Sequence, residues 1–308
     1  MSLIMAALLV IVVCAIALRR RAAKSADGPR RPIVVRATPY AQRDINVDGL
    51  RLRYIDEGEG EPILLVPGHT SRIEEYDDVT AILRSRYRVL VFDFPGSGYS
   101  EKPDRPYDLA FYDRTIVGFL DAVGVGQCFI AGGSLGGNLA LRAARADPAR
   151  FPRVAAWGPG SAWERKPVMA AFMRHFGYLL FLVTVRIQSM FWFDRGWHGR
   201  KAALRAVFAY YREVMCRGFV RMYWGIAADQ LDTSLFDIAA EIRQPALLMW
   251  GDRDHGFDMG AGVLRLHALM PRSRLVVFAG AGHSLVAERT EAVARELLKF
   301  FAETPRSS

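Results

Sequence analysis

Short apolar and β-branched runs bounded by Gly, Pro and Asp alternate along this chain with stretches of helical periodicity. Leu50–Tyr54, Ile63–Val66, Arg88–Phe92, Cys128–Ala131, Val154–Trp157, Ala246–Trp250 and Leu275–Phe278 read as strands. Several are apolar throughout, as strands covered on both faces should be. Strands that alternate with helices predict an α/β fold, a mostly parallel central sheet flanked by helices. Between Trp157 and Pro245 the rhythm stops, and Trp, Phe, Tyr and Met recur there at helical spacing, which predicts an inserted helical cap. Val286, Val293, Leu297 and Phe301 share one stripe, so a closing helix should pack back on the sheet. The expected organisation is a core over 45–157 and 241–308 with a cap over 158–240. Phe176–Phe193 is apolar enough to resemble a membrane span, but Arg186 and Gln188 interrupt it, and a span there would separate the fifth strand from the sixth; it reads as a cap helix.

The N-terminus adds a separate element. Every residue from Leu3 to Leu18 is apolar, and a basic cluster follows at once. A cleaved signal peptide would carry its positive charge before the apolar run. A lipoprotein would carry a small residue where Val13 precedes Cys14. A membrane anchor over 1–21 is left as the best account, with a polar, basic tether over 22–44. The arginines should stay on the cytoplasmic side, which places the catalytic domain in the cytoplasm at the membrane face.

Composition narrows the function classes. Hydrophobic residues make up 51% and charged residues 24% of 308, a balance that can bury a sizeable core and excludes general disorder. The formal charge of +9 is concentrated before residue 37, where Arg19, Arg20, Arg21, Lys24, Arg30, Arg31 and Arg36 face Asp27 alone. The remainder is mildly basic and carries no nucleic-acid-binding motif, so no nucleic-acid partner is expected. Cys14, Cys128 and Cys216 lie far apart, with neither a disulfide framework nor zinc-ligand spacing, so no metal or cofactor is expected.

Candidate chemistry starts at Gly132-Gly133-Ser134-Leu135-Gly136, which follows a strand and precedes the helix-like Asn138–Ala144. A serine on a sharp strand-to-helix turn has strained backbone angles, and flanking glycines remove side chains that would collide with the neighbouring strand and helix. The turn sets the hydroxyl above a helix N-terminus, whose partial positive charge favours a developing anion. A Gly-rich connection with an incidental serine is the alternative for this pattern taken alone.

Further motifs stand in order around it: Leu65-Val66-Pro67-Gly68-His69-Thr70, Asp93-Phe94-Pro95-Gly96-Ser97-Gly98-Tyr99-Ser100, Trp250-Gly251-Asp252-Arg253-Asp254, and Gly282-His283. Together they resemble the α/β-hydrolase fold family over residues 45–302. The resemblance implies Ser134 as nucleophile, His283 as general base and Asp254 as the carboxylate that orients the imidazole, with Asp252 the rival for that third role. It implies Leu135 as one oxyanion-hole donor and His69, with Thr70 the alternative, as the other. Pro67-Gly68 stands where many members carry His-Gly, a departure that a backbone donor tolerates. His175, His198, His255 and His267 read as structural or solvent-exposed.

Within the family, a serine nucleophile points to the esterase, lipase, thioesterase, carbon–carbon hydrolase and haloperoxidase-like members and away from haloalkane dehalogenases and epoxide hydrolases, whose nucleophile is Asp. The expected activity is hydrolysis of an ester or related acyl bond through an acyl-enzyme. The aromatic cap and the anchor together suggest an apolar, lipid-like small-molecule substrate. The alternatives are a carbon–carbon bond hydrolase, an acyltransferase, or a binding protein that keeps the fold without catalysis.

Overall fold

The computed structural model describes residues 37–177, 193–255 and 259–303. Within them eight strands form one sheet: β1 (Arg43–Val47), β2 (Leu50–Glu57), β3 (Glu61–Val66), β4 (Tyr87–Phe92), β5 (Phe129–Gly133), β6 (Val154–Trp157), β7 (Ala246–Gly251) and β8 (Ser273–Phe278), in the order β1-β2-β4-β3-β5-β6-β7-β8. The first two pairings are antiparallel and the rest parallel.

The alternation of side chains along each strand divides the core in two. Leu64, Val66, Leu90, Phe92, Ala246 and Leu248 face one layer, which holds Tyr112, Ile116 and Phe119 of α2 (Leu109–Ala122) and Leu139 and Ala140 of α3 (Leu135–Ala146). Ile63, Leu65, Val89, Val91, Leu247 and Met249 face the other, against Val79 and Leu83 of α1 (Asp77–Leu83) and Val293, Leu297 and Phe301 of the last helix (Thr290–Ala302). Both faces are apolar because both are covered, which is why these strands read as continuous hydrophobic runs.

All seven expected strand runs lie in the sheet. The eighth strand, β1, was not foreseen: its sequence, Arg-Asp-Ile-Asn-Val, is largely exposed at the sheet edge, so no apolar run marks it. It starts at Arg43, within the stretch expected to be tether. Between β6 and β7 the described residues are helical, over 167–177, α4 (Arg200–Val214) and α5 (Arg217–Asp232).

The expected membrane localisation is corrected. Among the described residues no helix is long and apolar enough to cross a membrane. The anchor expected over 1–21, and most of the apolar stretch Phe176–Phe193, lie outside the described residues. The reading of a membrane-anchored protein therefore has no support in the structure.

Candidate active site

The carboxyl ends of β3, β5, β6 and β7 point to one edge of the sheet, where parallel strands of an α/β fold leave a crevice. Ser134 follows β5 and precedes α3 with φ 55° and ψ −122°, a conformation that a residue with a side chain rarely adopts. The glycines explain how the chain turns there. A Cβ on Gly136 would collide with the carbonyl oxygen of Val66, and one on Gly132 would lie 2.5 Å from the Gly136 carbonyl carbon. Strand, turn and helix are therefore packed backbone to backbone. Trp157 O accepts from Ser134 N at 2.9 Å, and Ser134 O accepts from Gly160 N at 2.8 Å, which fixes the turn to the end of β6.

Asp254 and His283 arrive from the neighbouring strand ends. Asp254 is buried just beyond β7, where its N–H closes a turn on Gly251 O at 2.9 Å. Its Oδ2 lies 2.7 Å from His283 Nδ1. Asp252, the rival carboxylate, is exposed and accepts from Gly280 N at 2.7 Å, so it serves the turn after β8. Burial lowers the His283 pKa, but the charge and hydrogen bond of Asp254, helped by Glu288, outweigh it, and the net shift is upward. Among the described residues the imidazole is hydrogen-bonded to Asp254 and not to Ser134, a separation common before substrate binds.

Gly158 brings the two sides together. It has φ +46°, and a Cβ built on it would crowd the pair, 3.2 Å from Asp254 Oδ2 and 3.3 Å from His283 Nδ1. It stands immediately after Trp157, whose carbonyl holds Ser134. The glycine in Trp157-Gly158-Pro159-Gly160 was the available sequence signal, and it was not read as part of the site.

The oxyanion candidates stand around the same point. Leu135 is the first residue of α3, so its N–H has no acceptor within the helix. His69 and Thr70 follow β3, and Thr70 has φ 64°, unusual for a β-branched residue. The Thr70 hydroxyl lies 2.5 Å from the hydroxyl of Tyr211, which ties this loop to α4. The His69 ring packs 4.7 Å from that of Tyr223 on α5, and its Nε2 is buried with no hydrogen-bond partner among the described residues. Burial lowers its pKa to about 4, so the ring is neutral near pH 7.

Glu288, also missed from the sequence, accepts from Gly282 N at 2.9 Å and Asp194 N at 3.1 Å, joining the loop that carries His283 to the segment between β6 and β7. Of the other histidines, His267 Nδ1 pairs with Ser273 Oγ at 2.8 Å, and His175 Nδ1 meets Ala171 O at 2.9 Å. His255 is exposed. Among the described residues no cluster of metal-ligating side chains is present.

Comparison with known proteins follows the same lines. Residues 61–290 match the family described as alpha/beta hydrolase fold. The chain is 31% identical to 2-hydroxymuconate semialdehyde hydrolase of Pseudomonas putida, over 86% of this chain and 96% of that one. It is 29% identical to haloalkane dehalogenase 2 of Mycobacterium tuberculosis, over 85% and 96%. Among solved structures, the enol-lactonase from Burkholderia xenovorans superimposes with a TM-score of 0.72 at 22% identity, covering 85% of this chain and all of that one.

Proposed function

Because the chain belongs to the α/β-hydrolase fold family and is a hydrolase, we propose that it cleaves an ester or related acyl bond through Ser134, His283 and Asp254. The observation that carries this reading is the 2.7 Å Asp254–His283 pair set against Gly158, one residue from the carbonyl that holds the Ser134 turn.

The steps follow from the chemistry of each group. His283, neutral and hydrogen-bonded through Nδ1–H to Asp254, has Nε2 free to take the proton of the Ser134 hydroxyl as Oγ attacks the acyl carbonyl. The carbonyl oxygen becomes an oxyanion, met by the Leu135 N–H and by that of His69 or Thr70; losing one such donor costs ~2.7–4 kcal/mol of transition-state stabilisation. The imidazolium, stabilised by Asp254, returns its proton to the leaving group, and an acyl-enzyme forms on Oγ. Water activated by His283 then releases the acid.

The helices between β6 and β7, within the cap proposed over 158–240, supply Tyr211, Phe219, Tyr223 and Trp224, all buried. Such a roof favours an apolar acyl group. A haloalkane substrate does not suit the chain despite its relatives, because Ser134 stands where such chemistry needs a carboxylate.

Fluorophosphonate labelling tests the reading. Wild type should be labelled on one serine, and Ser134→Ala should lose both the label and turnover of aryl esters by ~10⁴-fold or more. A folded wild-type protein that takes no label would remove the mechanism. A second reading, carbon–carbon bond hydrolysis of a vinylogous diketone, draws support from the similarity to 2-hydroxymuconate semialdehyde hydrolase. It requires such diketones to be turned over in preference to simple esters of equal size.

A further inference from the structure

The segment that leaves β3 carries charge for which acyl hydrolysis has no use. Arg53 reaches Glu74 at 2.8 Å and Asp93 at 2.7 Å, and Arg72 lies 3.7 Å from Glu74. All four side chains are buried, and two guanidiniums balance two carboxylates. Glu75 is then a third carboxylate, in surplus. Its carboxyl meets the Ser71 hydroxyl at 2.5 Å, and no described cation lies within ion-pair distance of it.

Two properties of Glu75 suit a group that meets a ligand. It keeps exposed surface, as a group open to solvent or ligand does. Yet burial raises its carboxyl pKa to about 7, with Glu74 and Asp93 adding to the shift and Ser71 and Arg72 opposing it. Its hydrogen-bond partner Ser71 adjoins the candidate nucleophile. A Cβ built on Gly68 would lie 3.4 Å from Ser71 Oγ and 3.7 Å from Ser134 Cβ, so the two serines flank one point. Tyr211, bonded to Thr70 from the cap, is near enough for the charge of Glu75 to act on its hydroxyl.

We propose that Glu75, presented by Ser71, forms a specificity subsite beside Ser134 that takes a hydrogen-bond-donating group, hydroxyl or ammonium, on an otherwise apolar acyl substrate. This deepens the serine-hydrolase reading and rests on it. A site built to bond a substrate donor discriminates strongly against the analogue that lacks it, because its own polar group is then left unpaired. The surplus negative charge favours the ammonium over the hydroxyl, since only the cation restores the balance of the cluster.

The test uses the full chain and alkyl fluorophosphonates of graded length that end in methyl, hydroxyl or ammonium, with the rate of Ser134 phosphonylation read by intact mass. At the length that reaches Glu75, the ammonium probe should react at least ~10-fold faster than its methyl counterpart, with the hydroxyl probe between them. Glu75→Ala should bring all three within about twofold of one another. Glu75→Gln keeps an acceptor without the charge and should retain the hydroxyl preference while losing that for ammonium. Ser71→Ala, a milder change should Glu75→Ala fail to fold, should reduce both preferences. Equal rates for the three end groups at every length, or preferences unchanged in Glu75→Gln and Ser71→Ala, overturn the subsite. If no probe labels Ser134, the serine-hydrolase reading falls and the subsite falls with it.

Discussion

At the scale of single residues, the proposed site depends on His283 being neutral when it acts and cationic afterwards, and Asp254 sets the balance between those states. Burial alone would hold the imidazole below the ordinary histidine value; the Asp254 charge and hydrogen bond, with Glu288, reverse the sign. A general base must be unprotonated, so kcat/KM should fall as pH drops through the raised pKa, with the acid limb inflecting above ~6.5. In Asp254→Asn the larger raising contributions are gone, while the burial and the smaller one from Glu288 remain. The inflection should then move below ~6.5, and the plateau should drop by about 10³–10⁴-fold through loss of the correct tautomer. Profiles of kcat/KM against pH for both proteins check this, and an inflection that stays in place would separate the pair from the reaction. Ser134, Asp254 and His283 were legible in the sequence because each lies in a local motif next to a strand end. Gly158, Glu75, Tyr211 and Glu288 were not, because their partners are remote: Tyr211 meets Thr70 across 141 residues of sequence, and Glu288 meets Asp194 across 94.

At the scale of elements, the proposed cap would be more than a cover, because α4 reaches the loops on which the proposed chemistry depends. Tyr210 accepts from Gly98 N at 2.6 Å with its ring under the Arg72 guanidinium, and Tyr211 holds Thr70. The strained φ of Thr70, one residue after the candidate oxyanion donor His69, is thus braced by a side chain of another layer. Tyr211→Phe removes that bond and leaves the Thr70 hydroxyl buried without it, a loss worth ~0.5–1.5 kcal/mol. If the brace positions the oxyanion loop, kcat for an aryl ester should fall about 2–10-fold with little change in KM, since the interaction counts only as the oxyanion forms. An unchanged kcat with a raised KM would instead make Tyr211 part of the substrate pocket. The helical reading of the cap followed from its aromatic spacing, but such a pattern says which face is apolar and not which loop that face meets. The sheet was easier: β3 and β4 present alternate residues to two apolar layers, so almost every position is hydrophobic, whereas β1 at the edge is marked by neither alternation nor a run.

At the scale of the whole molecule, the buried cluster around Arg53 binds the antiparallel edge of the sheet to the loops at its carboxyl end. Arg53 lies on β2 and donates to Glu74, Asp93 and Gln42; Asp93 in turn accepts from Ile73 N and Tyr99 N. The Asp93-Phe94-Pro95-Gly96 motif was legible as a family resemblance, but its physical basis needs a partner 40 residues earlier. Burial raises the Asp93 pKa, and the Arg53 guanidinium, with the N–H groups of Tyr99 and Ile73, opposes the rise. Replacing Arg53 with Met preserves bulk and strands Glu74 and Asp93 without their shared cation, which should destabilise the fold by ~3–5 kcal/mol, on the order of 10 °C in Tm for a chain of this size. The sign of the pH dependence follows. With the cation gone, the folded-state pKa of Asp93 rises further, so the folded variant takes up protons more readily than the unfolded chain, and its stability is lost as pH rises. Calorimetric scans of wild type and Arg53→Met should therefore show a gap in Tm that is wider at pH 8 than at pH 5. A gap independent of pH would mean that the loss comes from packing of the arginine stem, and that the charges of the cluster, Glu75's neighbours among them, do not govern the stability of this edge.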